Sequence, residues 1–360
     1  MKRIFISDCE GPISKNDNAF EVTSSFVPNG DKLFTVVSRY DDVLAEVVRK
    51  SGYKAGDTLK LILPFLKAYG VTDQKMRDFA AHNLVCIASI KDILQYIRRL
   101  ATTFIVSASY EHYLRALCQV LEFPFENTYC TRLSLDKYEL PEEEKVELKR
   151  IAEEIARTPV FEVTPAIKSL DDLPREDERK VRQLDEIFWK RITKMEIGKI
   201  YSEVNPVGGG VKAEAVKNIA RKHCVALRDV MYVGDSITDD EAFKLVKGNG
   251  GLTVSFNGNQ YAVENAEVAI LSENSIVTGI VADVFLRFGK AETIKLVENW
   301  NRKALERSSI DKGLRNLLFK VFPDRLPKVE IISDQNMEVL GKESSRFRKK
   351  VRGEAIGRLG

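Results

Sequence analysis

The sequence has 360 residues, more than one hydrophobic core usually holds, so about two or three packed units are expected. Hydrophobic residues make up 44% and charged residues 30% of the chain, which excludes a wholly disordered or collagen-like protein. The formal net charge of +3 is too balanced for a protein that mainly neutralises phosphate backbones, so no nucleic-acid partner is expected.

Cysteine usage and hydropathy indicate the compartment. The five cysteines are scattered and never form a Cys-x-x-Cys pair, which favours reduced thiols over a disulfide scaffold or a zinc site. The opening apolar run reaches Asp8 before a signal peptide could be completed. Charged residues and a proline interrupt the apolar stretch at residues 59–69, so no membrane span is predicted. We therefore expect a cytoplasmic protein without a membrane partner.

The start of the chain predicts one strand followed by helices. Residues 2–7 form a short apolar run, which is typical of a buried strand, and a Gly11-Pro12 turn follows it. Between residues 41 and 85, apolar side chains recur at spacings of three and four, as on the buried face of a helix. We predict that residues 14–85 form a helical unit inserted after the first strand.

The middle of the chain resumes the alternation of helices and strands. The expected elements are a helix at 90–100, a strand at 102–106, a helix at 113–121 and an extended segment at 128–135. Residues 139–200 interrupt this order with a highly charged, largely helical stretch that is punctuated by Pro159, Pro165 and Pro174. We interpret this stretch as an insertion that covers the core.

The remaining elements complete an α/β pattern. A helix is expected at 211–222, and strands are expected at 229–233, 251–256 and 268–271. Strands that alternate with helices predict a doubly wound, mostly parallel sheet covered on both faces. Residues 287–360 are predicted to be helical. Residues 341–360 carry seven basic and two acidic residues, and we interpret this basic tail as a solvated or disordered end.

Polar residues stand at the ends of three predicted buried strands. These residues are Asp8, Ser107 and Asp235. Because ligands of parallel sheets bind at the carboxyl ends of the strands, we expect the three side chains to meet at one edge. Glu10 follows Asp8 by two positions, so the pair could divide the work of a nucleophile and a general acid/base.

Further residues supply the rest of a phosphoryl-transfer site. Asp235 and Asp239 offer the hard oxygen ligands that suit Mg²⁺. Lys212 offers a positive charge and Ser107 a hydroxyl group, and both groups are suited to binding phosphate. Positioning and charge neutralisation carry most of the catalysis in phosphoryl transfer, so this set of residues favours that reaction class.

The motifs together resemble those of the haloacid dehalogenase-like superfamily, in its aspartate-nucleophile phosphatase branch. Within this branch the sequence resembles phosphoserine-phosphatase-like enzymes, and its layout is similar to that of an archaeal branch. The matching segments are Ser7-Asp8-Cys9-Glu10-Gly11-Pro12, Phe104-Ile105-Val106-Ser107-Ala108-Ser109, Lys212 at the head of its helix, and Gly234-Asp235-Ser236-Ile237-Thr238-Asp239. The resemblance implies a Rossmann-like core and an Mg²⁺-dependent phosphatase acting on a small phosphorylated metabolite.

The resemblance also implies a role for each residue. Asp8 would be the nucleophile that forms an aspartyl-phosphate, and Glu10 the acid/base, at a position where Asp is commoner in the family. Ser107 and Lys212 would hold the phosphate. The metal ligands would be Asp8, the backbone carbonyl of Glu10 and Asp235, with Asp239 as a ligand or just behind the ligands.

The same resemblance divides the chain into units. The expected units are a catalytic core at 1–13, 86–138 and 201–286, a helical cap at 14–85, a possible second cap at 139–200, and a C-terminal extension at 287–360 with its basic tail.

Three alternatives stay open at this level. The enzyme could transfer phosphate to an acceptor other than water, or the fold could serve as a binding or scaffold protein without turnover. Residues 238–241 also match a helix capping box, so part of the segment that carries Asp235 and Asp239 could be structural.

A kinase-type phosphate loop is not expected. The glycines at 208–210 do not have the P-loop spacing to Lys212.

Overall fold

A seven-stranded β-sheet lies at the centre of the computed structural model, which describes residues 2–161, 167 and 169–359. The strands are β1 (Ile4–Ser7), β2 (Thr102–Tyr110), β3 (Thr128–Thr131), β4 (Val230–Gly234), β5 (Leu252–Phe256), β6 (Val268–Leu271) and β7 (Lys328–Ile331). Their order across the sheet is β3-β2-β1-β4-β5-β6-β7, in which β7 alone is antiparallel to its neighbour. The predicted mostly parallel α/β sheet is therefore confirmed.

Helices connect the strands and cover the sheet. In chain order they are α1 (Asn18–Phe26), α2 (Gly30–Asp42), α3 (Thr58–Leu61), α4 (Leu63–Ala68), α5 (Asp73–Asn83), α6 (Ile90–Leu100), α7 (Glu111–Leu121), α8 (Glu142–Ala156), α9 (Arg175–Glu186), α10 (Ile200–Glu203), α11 (Gly210–Lys222), α12 (Asp240–Gly248), α13 (Gln260–Asn265), α14 (Ile276–Phe288), α15 (Lys290–Glu298), α16 (Arg302–Arg307), α17 (Lys312–Val321), α18 (Met337–Arg352) and α19 (Glu354–Gly357). Among the described residues, no helix is long and apolar enough to cross a membrane.

The sheet is buried on both faces, as its apolar strands require. In β1, Phe5 belongs to the apolar cluster that includes α6, α7 and α14, while Ile4 and Ile6 belong to the cluster with α11 and α12. Successive side chains of a strand point to opposite faces, so β1 must be apolar throughout. Ser7 pairs with Ile105 of β2 and with Val233 of β4, which places the carboxyl ends of β1 and β4 side by side, level with the middle of β2.

A second hydrophobic core lies outside the sheet. It joins apolar residues from the region between β1 and α6 with apolar residues from positions 133–204, and we call these two segments the helical unit. Tyr40 of α2 stacks on Phe188 with ring centroids 5.5 Å apart, and Phe65 of α4 meets the same ring edge to face at 6.2 Å. Two segments far apart in the sequence therefore share one core.

The C-terminal region returns to the sheet. Strand β7 adds an edge that the sequence analysis did not predict, and α18 packs beside α13 and β6. The interpretation of the basic tail as a solvated or disordered end is wrong for α18, because Ser344, Arg348 and Arg352 are buried on one face of this helix. Ser344 donates a hydrogen bond of 2.7 Å to the carbonyl of Gly258. Polar and charged residues share this buried face with Leu340 and Val351, so hydropathy gave only a weak signal for it.

Candidate active site

The three polar residues expected at strand ends line one cavity, but only Asp8 and Asp235 directly follow their strands, β1 and β4. Strand β2 continues past residue 106, its expected end, to Tyr110. The N–H of Asp8 donates to the carbonyl of Val233 at 2.8 Å, so Asp8 extends the pairing of β1 with β4 by one residue. Ser107 lies within β2, where the pairing of this strand with β3 becomes irregular after Val106. Its hydroxyl oxygen accepts a hydrogen bond of 3.2 Å from the N–H of Ser109. Asp8, Ser107 and Asp235 are all buried beside one cavity.

Lys212 connects two of the site's carboxylates. Helix α11 begins at Gly210, so Lys212 lies in its first turn, and its side chain is fully buried. The ammonium group lies 2.8 Å from Asp8 Oδ2 and 2.7 Å from Asp239 Oδ1. Burial acts to lower the pKa of Lys212, but Asp239 and Asp8 raise it above its ordinary value. The lysine therefore stays charged beside Asp8.

Asp239 accepts four hydrogen bonds. Oδ1 accepts from Lys212 and from the hydroxyl of Tyr232, both at 2.7 Å. Oδ2 accepts from the backbone N–H groups of Asp235 at 3.0 Å and Ser236 at 3.1 Å. A carboxylate has about four lone-pair sites, so the donors already present use the whole capacity of Asp239.

Asp8 is held at a pKa far from that of a surface aspartate. Burial raises its pKa to about 7, Lys212 opposes this rise, and the nearby Asp239 and Asp235 add to it. Asp8 Oδ1 also accepts a hydrogen bond of 2.6 Å from the N–H of Cys9. The side chain is thus fixed by donors on both oxygens, and a further cation at this site would favour its charged form.

Gly11 allows the turn after β1 to lie against Asp235. Its φ of +105° is a conformation that glycine adopts readily, and a Cβ at this position would overlap the Asp235 carboxylate. The approach of this turn brings the segment that carries Asp8 and Glu10 next to the end of β4.

The donor set fits a divalent cation. One carboxylate oxygen from each of Asp8, Asp235 and Asp239 lies within 4.8 Å of the other two. Oxygen donors of this kind suit Mg²⁺. Since the four donors occupy Asp239, the carboxylates of Asp8 and Asp235 have the capacity to hold a cation, and Asp239 lies directly behind them.

Glu10 lies at the start of α1. Its Oε1 accepts a hydrogen bond of 2.7 Å from the N–H of Asn18, the first residue of that helix. Burial raises the pKa of Glu10 well above its ordinary value, and the neighbouring Asp17 raises it further, while the N–H of Asn18 and Arg352 act to lower it. Glu10 therefore holds a proton more strongly than a solvent-exposed glutamate does.

These side chains line a cavity of about 90 Å³ between the sheet and the helical unit. Asp8, Glu10 and Ser107 form part of its wall on the sheet side, and Phe34 and Thr58 belong to the helical unit. The volume is small for a metabolite.

Two further residues of the site were missed by the sequence analysis. Arg348 and Arg352 of α18 line the same cavity, and both guanidinium groups ion-pair with Asp235 Oδ2, Arg352 at 3.0 Å. Arg352 also donates to the carbonyls of Lys15, at 3.0 Å, and Asn16. The sequence signal was their separation of four positions in a helix, which places both on one face.

The comparisons agree with this fold and set of motifs. Residues 71–283, more than half of the chain, match the model of a family described as haloacid dehalogenase-like hydrolase. The chain belongs to this family, which confirms the superfamily resemblance found in the sequence. The matched range includes Ser107, Lys212, Asp235 and Asp239, and Asp8 and Glu10 precede it.

Among solved structures, a gene product from Archaeoglobus fulgidus is similar over 100% of this chain and 99% of its own, with a TM-score of 0.80 and 28% identity. A phospho-aspartyl intermediate analogue of phosphoserine phosphatase is more distant, with a TM-score of 0.46 and 14% identity over 76% of this chain and 95% of its own. A substrate-bound phosphoserine phosphatase has a TM-score of 0.44 and 14% identity, over 76% of this chain and 95% of its own. A comparison with curated protein sequences found no match.

Proposed function

We propose that this protein is an Mg²⁺-dependent phosphohydrolase that cleaves a phosphate monoester of a small metabolite through an aspartyl-phosphate on Asp8. The observation that carries the proposal is the contact of 2.8 Å between Asp8 and the buried ammonium group of Lys212, at the end of the central strand. This contact supports the proposal, because a carboxylate that acts as nucleophile needs a fixed positive charge beside it to receive the phosphoryl group.

In the first half of the reaction, an oxygen of Asp8 attacks phosphorus and the ester bond to the leaving oxygen breaks. Lys212 and the Ser107 hydroxyl bind the phosphoryl oxygens and stabilise their charge. Glu10 gives its proton to the leaving oxygen, which departs as an alcohol. The raised pKa of Glu10 supports this role, since the proton must be present when the substrate binds.

In the second half, water attacks the phosphorus of the aspartyl-phosphate. Glu10, now ionised, takes the proton of this water, and the bond between phosphorus and Asp8 breaks to release inorganic phosphate. The two half-reactions restore both carboxyl groups to their starting states.

The proposed metal ligands are the carboxylates of Asp8 and Asp235 and the backbone carbonyl of Glu10. A bound Mg²⁺ would reduce the charge repulsion between Asp8 and the incoming phosphate and would help orient the phosphoryl oxygens. Asp239 acts in this proposal as a positioning residue, because its four hydrogen bonds fix Lys212 and the start of the segment after β4.

The helical unit serves as a cap in this proposal. Both of its segments, residues 14–85 and the insertion at 139–200, contribute to one core, so they would move together. The cavity of about 90 Å³ requires opening before a substrate can enter, and closure would exclude water during the first half-reaction.

The test is hydrolysis by the purified protein with Mg²⁺ of an aryl phosphate and of a panel of phosphorylated metabolites. We expect Asp8→Asn to lower turnover about a thousandfold or more. The exposed Asp92 on α6 provides the control, since Asp92→Asn should retain the wild-type rate. Acid-quenched wild-type protein should carry a phosphoryl group on Asp8 when examined by mass spectrometry. Equal activity of wild type and Asp8→Asn, or no activity of either on the panel, would contradict the proposal.

A further inference from the structure

Helix α18 brings two buried positive charges into the proposed active site. Arg348 is 3% exposed and Arg352 8% exposed, and both line the cavity that contains Asp8. The helix lies outside residues 71–283, the part of the chain that matches the family model. Neither arginine belongs to the four sequence motifs that carry the resemblance.

The two arginines share one direct carboxylate partner. Within the described part of the chain, Asp235 is the carboxylate that ion-pairs with both guanidinium groups, and their other hydrogen bonds go to backbone carbonyls. The carboxyl groups of Asp17 and Glu10 also act on them electrostatically. A cation bound by Asp8 and Asp235 would draw on the carboxylate that both arginines contact, and would leave their guanidinium groups with a weaker direct partner.

One donor of Arg348 is unused. Among the residues that the structure describes, no hydrogen-bond partner is found for its buried Nε–H. An unpaired buried donor is costly, and the forked guanidinium group is suited to binding the two oxygens of a carboxylate or phosphate. The arginine thus has both the charge and a free donor for an oxyanion.

From these observations we infer that Arg348 and Arg352 bind a second anionic group of the substrate, a carboxylate or a phosphate, in addition to the phosphate that is cleaved. The inference rests on the proposed function and specifies its substrate class. Lys212 and Ser107 are assigned to the scissile phosphate, which leaves the two arginines available for another anion.

The geometry also limits the distance between the two anionic groups. Arg348 and Arg352 both contact Asp235, whose carboxylate has an oxygen within 4.8 Å of an oxygen of Asp8. The cavity around them is about 90 Å³. The second anionic group should therefore be only a few bonds from the scissile phosphate.

The experiment compares small esters that differ in one group. Ethyl phosphate is the probe without a second anionic group. Phosphoglycolate replaces its methyl group with a carboxylate, and ethylene glycol bisphosphate carries a second phosphate ester on that methyl carbon. We expect wild-type kcat/KM to be at least about tenfold higher for one or both anionic esters than for ethyl phosphate. The anionic ester with the higher kcat/KM shows whether the second anionic group is a carboxylate or a phosphate.

The variants Arg348→Gln and Arg352→Gln test whether the arginines cause this preference. The ratio to compare is kcat/KM for the anionic ester divided by kcat/KM for ethyl phosphate. Each variant should lower this ratio about tenfold, chiefly through a higher KM for the anionic ester. Arg346→Gln changes an exposed arginine of the same helix and should leave the ratio at its wild-type value. The lysine variants of Arg348 and Arg352 keep the charge, so they should give intermediate ratios, and they replace the glutamine variants if those do not fold.

The possible failures are distinguishable. If wild type hydrolyses ethyl phosphate as well as or better than the anionic esters, or if the ratio is the same in all variants, the inference is overturned and the phosphatase function stands. If wild type turns over none of the esters and none of the metabolite panel, the proposed function fails and the inference fails with it.

Discussion

Replacement of Asp239 by asparagine tests the role of the residue behind the proposed catalytic aspartate. The carboxylate accepts hydrogen bonds from Lys212, Tyr232 and two backbone N–H groups. Asparagine keeps the size of the side chain but offers one acceptor oxygen and one donor group. Each carboxylate oxygen of Asp239 accepts from two donors in the wild-type protein. In either orientation of the asparagine side chain, the NH₂ group would therefore leave two of these donors without an acceptor.

The magnitude follows from these contacts. Leaving a buried donor without an acceptor costs about 1–3 kcal/mol, so two such donors imply a loss of about 2–6 kcal/mol in unfolding free energy. Lys212 would also lose the partner that holds it 2.7 Å from Asp239 and would shift relative to Asp8. Displacement of a positioning group by about 1 Å can lower turnover about a hundredfold. We expect both effects in Asp239→Asn.

The assay combines chemical denaturation with steady-state hydrolysis of an aryl phosphate. Glu241→Gln is the control, because Glu241 lies two positions further along the chain and its side chain is exposed. Surface substitutions of this kind usually change the unfolding free energy by less than about 0.5 kcal/mol, so the control should remain near wild type. If Asp239→Asn has wild-type stability and turnover, the reasoning about its four hydrogen bonds is refuted.

Two other predictions concern a turn and a buried histidine. Gly11→Ala should lower turnover at least about a hundredfold, because the added Cβ overlaps the Asp235 carboxylate, and kcat at saturating Mg²⁺ measures this loss. Burial lowers the pKa of His112 below 6.5 although Asp73 opposes the shift, so the unfolded chain binds a proton there more readily than the folded chain. The unfolding free energy of wild type should therefore fall relative to His112→Gln as the pH decreases below about 6.5, as shown by denaturation at several pH values; a constant difference would contradict this assignment.

The sheet and the edge that carries the candidate site could be predicted because their signals are local. Strands β1 and β4 are short apolar runs, and each is followed directly by an aspartate. Parallel strands align their carboxyl ends, so Asp8 and Asp235 had to lie near each other once the fold class was known. The position of Lys212 in the first turn of its helix followed from the glycines that precede it.

The C-terminal part of the site could not be predicted for a physical reason. Strand β7 has the sequence Lys-Val-Glu-Ile, an alternation too short to distinguish an edge strand from a loop. The buried face of α18 carries Ser344, Arg348 and Arg352, residues that hydropathy assigns to solvent. Their burial depends on Asp235 and on backbone carbonyls from distant segments, and these partners are known only from the tertiary structure.

Arg352 should also affect metal affinity. If Mg²⁺ is held by Asp8 and Asp235 as proposed, it shares Asp235 with Arg352, whose guanidinium group lies 3.0 Å from Oδ2. Removal of one positive charge at this distance should strengthen cation binding, since like charges repel strongly in a buried site. We expect Arg352→Gln to bind Mg²⁺ about tenfold or more tightly than wild type in calorimetric titration without substrate, and Arg346→Gln to match wild type. Weaker or unchanged binding in Arg352→Gln would mean that the arginine does not compete with the metal for Asp235.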